Sequence, residues 1–165
     1  MTYDQIRPLI KTGDLLAWSH SGWGSWHAIQ VSLVRMFTQS EFSHVGLAFV
    51  VYDRIFVLEA VSSGVRIYPL SRALPFYLVS NPKELSNAAL EWAFQNIGNE
   101  YESKWRMVLA TFIDMDLKDN YRFQCSEYVN GILTMNDQEI TPVDTPSAIV
   151  EAAMQHWGSL QYITQ

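Results

Sequence analysis

The sequence contains a single cysteine among its 165 residues, Cys125. That excludes an internal disulfide and any ribbon-type zinc site built from several thiolates. Charge is also sparse: Asp, Glu, Lys and Arg make up 17% of the chain, too little for a disordered, solvating polymer. Cations are the scarcer sign, 11 Lys and Arg against 17 Asp and Glu, and no basic run offsets the net charge of -6. This balance argues against a nucleic-acid partner. No segment approaches the roughly 18 consecutive apolar residues of a spanning helix, so stable membrane insertion is not expected. The start, MTYDQIRPLI, carries Asp4 early and lacks both a basic opening and an apolar stretch leading to a cleavage site. A secretory signal is therefore not expected, and a cytoplasmic or phage-particle setting is.

Hydrophobic residues reach 48% and aromatics 13%, enough for one well-filled core at this length. With no repeat, low-complexity stretch or Gly/Ser linker, residues 1–165 are expected to form a single domain. Strands are expected over 15–19, 45–51, 55–61, 65–70, 76–80 and 160–164, from their β-branched and aromatic content. Helical spacing of Trp26, Ile29, Leu33, Val34 and Phe37 predicts a helix over 25–38. Further helices are expected over 84–97, 104–113, 125–133 and 147–156, the last opened by Thr145 as N-cap and Pro146 at the first helical position. A block of antiparallel strands flanked by helices makes the fold class α+β.

Three residues break the pattern around them. His44 opens an apolar strand, Glu59 sits inside FVLEAV where burial is costly without a partner, and Cys125 precedes a helix. If the hairpin between the second and third strands turns on Tyr52-Asp53, Val51 pairs with Arg54 and Gly46 falls opposite Glu59. His44, two residues from Gly46, then shares a face with Glu59. An odd loop separates them. At a helix N-terminus the unpaired N–H groups and the dipole favour a thiolate, and a neighbouring imidazolium lowers the thiol pKa further. Cys125 as nucleophile, His44 as base and Glu59 as orienting carboxylate would then form a catalytic triad acting through a thioester.

The order Gly13-Asp14, Ser43-His44-Val45-Gly46, Leu58-Glu59-Ala60, Gly98-Asn99-Glu100-Tyr101, Cys125-Ser126-Glu127-Tyr128 and Thr145-Pro146-Ser147 resembles the circularly permuted NlpC-type branch of the papain-like cysteine hydrolases. The resemblance spans Gly13 to about Ile149. It implies a permuted papain-like fold, with an antiparallel sheet packed against helices, and puts the Cys–His–Glu roles on Cys125, His44 and Glu59. It also implies hydrolysis of an amide or ester bond, with a small peptide, amide or acyl ester as substrate, possible cell-wall-type peptides among them.

Each residue has a plainer alternative. Cys125 can be a buried structural thiol, His44 a satisfied strand-end histidine, and Glu59 a carboxylate paired with Arg66. The loop 19–24, with His20 and Trp23 in it and Trp18 and Trp26 beside it, either walls a substrate cleft or packs on the surface, and Tyr101 and Tyr128 either line the site or pack. His20 and His27 match no standard ligand spacing with His44 and Cys125, so no metal and no cofactor is expected. Two rival functions keep the same residues: lipid acyl transfer or thioester hydrolysis, as in relatives of lecithin:retinol acyltransferase, and non-catalytic capture of a small ligand.

Overall fold

In the computed structural model the described residues are 1–19, 42–101 and 122–165. They form an α+β arrangement with one six-stranded sheet and four helices. In chain order the elements are α1 (Tyr3–Ile6), β1 (Leu15–Ser19), β2 (Phe42–Val51), β3 (Arg54–Val61), β4 (Gly64–Pro69), β5 (Phe76–Val79), α2 (Asn87–Gln95), β6 (Glu100–Tyr101), β7 (Arg122–Phe123), α3 (Cys125–Met135), α4 (Pro146–His156) and β8 (Gln161–Ile163). The helices expected over 25–38 and 104–113 lie outside the described residues.

The main sheet runs β4-β3-β2-β1-β5-β8, and every neighbouring pair is antiparallel. Two tight hairpins give the β2-β3-β4 meander, pairing Val51 with Arg54 and Val61 with Gly64. The first turns on Tyr52, which takes a left-handed φ of 53° at the exposed tip. Of the two loop parities the sequence left open, the even one is formed.

Both faces of the sheet are covered, which explains why Leu15, Leu16, Ala17 and Trp18 are all buried rather than alternating. Leu15, Ala17, Val45, Leu47, Leu58 and Ala60 pack beneath the helices, against Tyr128, Val129, Ile132, Ile149 and Ala153. Leu16, Trp18, Ala48, Val57, Phe76 and Leu78 form a second core with Ile6, Ile10, Leu70 and Ile163. On the helical side, Gly131 of α3 lets the Trp92 ring of α2 approach so closely that a Cβ there would lie 2.3 Å from it. That close approach stacks Trp92 on Tyr128.

Helix starts follow their caps. Thr145 accepts the Ala148 N–H at 3.3 Å with Pro146 next to it, as anticipated. Helix α2 begins later than its hydrophobic pattern suggests because Ser86 is its cap, accepting the Ala89 N–H at 3.2 Å. Asn136, from the end of α3, holds the preceding segment non-helical by bonding the Ser86 N–H at 2.7 Å and the Glu84 carbonyl at 3.2 Å.

Candidate active site

Three elements of the fold deliver His44, Glu59 and Cys125 to one place. His44 lies near the start of β2, paired with Trp18 of β1. Glu59 lies on β3, paired with Arg66 of β4. Cys125 is the first residue of α3, which packs across β2 and β3.

The β2–β3 ladder runs from Val51↔Arg54 to Leu47↔Leu58. Carried one residue further, the same register sets Gly46 beside Glu59. A side chain at Gly46 would start 2.5 Å from Val57 Cγ2, 2.9 Å from the Leu58 carbonyl and 3.4 Å from Glu59 Cβ. Glycine is therefore what lets the two strands close up here, bringing Glu59 within reach of His44. Glu59 Oε2 lies 2.6 Å from His44 Nε2. The diagonal contact deduced from an even hairpin is present.

Glu59 is fully buried, and its other oxygen, Oε1, takes Arg66 Nε at 2.8 Å and Arg66 Nη2 at 2.7 Å. The pairing with Arg66, the plainer alternative for Glu59, and the contact with His44 are both present in one carboxylate. Burial alone would raise its pKa; the hydrogen bond and charge of His44, then Arg66, outweigh burial and hold it below the usual carboxylate value.

Cys125 acts on the charge of His44 as well as Glu59 does. Since Nε2 is engaged by Glu59, Nδ1 is the nitrogen left for the sulfur. Burial would lower the imidazolium pKa, but the hydrogen bonds to Cys125 and Glu59 and their negative charges push it up to about 10. The thiol moves the opposite way. Burial would raise its pKa; His44, followed by the backbone N–H groups of Val45 and Ser126, brings it below the ordinary thiol value. The opposite shifts favour moving the proton from the thiol to the imidazole, with a carboxylate and a guanidinium behind it. Cys125 is buried at 5% exposure, and its neighbours lower its pKa against the effect of that burial.

Second contacts hold these groups in place. Glu127 of α3 accepts the Gln124 N–H at 2.9 Å, closing the first turn behind Cys125. Ser126 donates to the Asp144 carbonyl at 2.9 Å, tying the start of α3 to the approach to α4. Ser147, in the first turn of α4, accepts the Phe42 N–H at 3.2 Å, pinning β2 just before His44. The Thr145-Pro146-Ser147 segment thus does more than start a helix. The short parallel pair β6–β7, Glu100↔Arg122 and Tyr101↔Phe123, fixes the backbone leading into Cys125.

Two of the expected substrate-binding residues are corrected. Tyr128 is fully buried; its hydroxyl donates to the Ala93 carbonyl at 2.9 Å and its ring stacks on Trp92, so it is a core residue of the α2–α3 contact. Trp18 is 2% exposed, packs on Phe76 and donates its indole N–H to the Ala73 carbonyl at 2.6 Å. Its ring centroid lies 5.2 Å from that of His44, so it supports the imidazole from the core rather than facing a substrate. Tyr101 lies on β6, while His20 and Trp23 fall outside the described residues. Sequence reasoning gave Arg66 only a competing role. The second two-residue hairpin, Val61-Ser62-Ser63-Gly64, was the signal that could have placed it opposite Glu59.

No protein-family model matches this chain, and no curated protein does. Among solved structures, it is similar to the metalloprotein yiiX from Escherichia coli O157:H7, described as DUF1105. The TM-score is 0.56 at 17% sequence identity, over 94% of this chain and 89% of that one. The likeness is one of fold.

Proposed function

We propose that this protein is a cysteine hydrolase, an amidase or peptidase on a permuted papain-like fold, with Cys125 as nucleophile, His44 as proton carrier and Glu59 as its orienting carboxylate. The observation that carries this reading is the meeting at His44 of the Cys125 thiol, which stands at a helix N-terminus and whose pKa His44 lowers, and of buried Glu59, 2.6 Å from Nε2.

The thiolate attacks a substrate carbonyl carbon, forming the S–C bond. The tetrahedral oxyanion is met by donors including the Cys125 backbone N–H. Its collapse breaks the C–N or C–O bond, and the leaving amine or alcohol takes the proton from the His44 imidazolium. Neutral His44 then removes a proton from water as the water attacks the thioester. The acid is released, and the sulfur departs as thiolate beside a restored imidazolium. Throughout, Glu59 keeps the ring turned with Nδ1 toward the sulfur.

The fold neighbour's description as a metalloprotein raises a different use of the same residues. A protein-held zinc needs three or four ligands converging on one point. Here Glu59 bonds His44 directly, and among the described residues no group of three or more His, Cys, Asp or Glu is placed to hold a metal ion. Among the described residues no helix is long and apolar enough to cross a membrane.

Turnover of short peptide amides, simple esters and phospholipid vesicles, each with wild type and Cys125→Ala, tests the reading. Cys125-dependent release of amine or alcohol with uptake of water is expected. Transfer of the acyl group to a second acceptor without hydrolysis would make it an acyltransferase. Ligand retention without turnover of any substrate would make it a binding domain.

A further inference from the structure

We propose that Arg66 is a positioning residue that sets the reactivity of Cys125 through Glu59, an inference that rests on the relay reading above. The two oxygens of Glu59 are divided between partners: Oε1 receives both Nε and Nη2 of Arg66, at 2.8 and 2.7 Å, and Oε2 faces His44 at 2.6 Å. The terminal torsion of a glutamate is broad and soft, so one partner alone would leave the carboxylate free to swing. A guanidinium gripping one oxygen with two nitrogens fixes which oxygen is presented to the imidazole.

Arg66 is itself held. It pairs with Glu59 across the β3–β4 ladder, and its guanidinium lies 4.4 Å from the centroid of the Tyr68 ring on the same face of β4. Its side chain is 33% exposed whereas Glu59 is wholly buried, so the arginine closes the relay at its solvent end. Among the described residues, the charged groups facing Glu59 are His44 from β2 and Arg66 from β4; Cys125 of α3 reaches it only through His44. Removing Arg66 therefore leaves a buried carboxylate with one cation instead of two. It takes up a proton at higher pH, and once neutral it no longer supports the imidazolium that keeps the sulfur ionised. The signature is a displaced acid limb in thiol reactivity.

The test is the rate of iodoacetamide alkylation at Cys125 as a function of pH, in wild type, His44→Ala, Arg66→Ala, Arg66→Lys, Arg66→Gln, Glu59→Gln and the Glu59→Gln/Arg66→Ala pair. Arg66→Ala is expected to move the acid limb up by about one pH unit, slowing alkylation on that limb about tenfold. Arg66→Lys, which keeps the charge but not the two-nitrogen grip, recovers only part of the rate. In the Glu59→Gln background, Arg66→Ala adds nothing, because its route to the sulfur is already cut. Arg66→Gln carries the same comparison should Arg66→Ala fold poorly. A wild-type profile in the Arg66 variants, or an equal loss in both backgrounds, overturns the inference while leaving the relay standing. Alkylation that is indifferent to His44→Ala overturns the relay, and the inference with it.

Discussion

Among the described residues two carboxylates are fully buried, Asp14 before β1 and Glu59 on β3, and they are solved in opposite ways. Asp14 is held by backbone: Oδ2 accepts the Lys11 N–H at 2.8 Å and Oδ1 the Asn81 N–H at 2.9 Å. Burial dominates there, and its pKa is raised. Glu59 is held by two cationic side chains, and its pKa is lowered despite equal burial. Amide dipoles suffice to close a turn. Keeping a buried carboxylate ionised beside a histidine takes charge, and the fold supplies it from both neighbouring strands.

The sharpest way to break this comparison is to truncate each carboxylate. Glu59→Ala leaves His44 and Arg66 without their shared anion and should cost about 3 kcal/mol at neutral pH. It should also slow thiol alkylation by about a hundredfold through the misplaced imidazole. Asp14→Ala orphans the buried Asn81 N–H and the part-buried Lys11 N–H and should cost roughly 2 kcal/mol, with the pH profile of the thiol unchanged. Chemical denaturation and alkylation of the same samples separate the two. Equal effects on reactivity would erase the distinction.

Acid titration of stability sharpens it. A carboxyl whose pKa is lowered by folding stabilises the protein above its unfolded pKa, and that stability drains away as pH falls through the folded value. For Glu59 the loss therefore begins below pH 4.5, its ordinary value, and Glu59→Gln should flatten the acid slope. Asp14 has the opposite sign: protonation in acid relieves its burial penalty, and the relief is lost as pH rises from its ordinary 3.8 through the raised folded value. Asp14→Asn should therefore steepen the net acid loss. Melting temperatures of both variants across that window check the signs.

Smaller effects probe the scaffold around Glu59. Gly46→Ala forces β2 and β3 apart beside the relay and should cost about 2 kcal/mol, with a slower thiol. Thr145→Ala removes the cap of α4 while leaving the Asp144 and Ser147 contacts to the site in place, and should cost about 1 kcal/mol with alkylation near wild type. Denaturation midpoints and alkylation rates on each variant give the comparison.

Much of the sheet was readable from the chain because its strands are long, β-branched and covered on both faces. The contact between His44 and Glu59 was readable only conditionally. It hung on hairpin parity, and Tyr52-Asp53 lacks the Asn-Gly or Asp-Gly signature of a two-residue turn; Tyr52 adopts its φ of 53° without one. The start of α2 was misjudged because Asn136, fifty residues downstream of Ser86, occupies the groups that would have extended the helix. Trp18 and Tyr128 were read as cleft residues because aromatic content says nothing about which side of a sheet or helix a ring faces. Arg66 was visible as a partner for Glu59 but not as a companion to His44, since one carboxylate with two oxygens satisfies both.

Because Cys125 is the protein's only cysteine, its ionisation can be followed without interference from another thiol. Thiolate absorbance is measured during a pH titration of wild type and His44→Ala, each referenced to a Cys125→Ser counterpart. The account predicts that the wild-type thiol ionises well below the ordinary cysteine value of about 8.5, and that His44→Ala returns it to that value or above. A wild-type thiol that titrates at or above the ordinary value, unmoved by loss of His44, would contradict it.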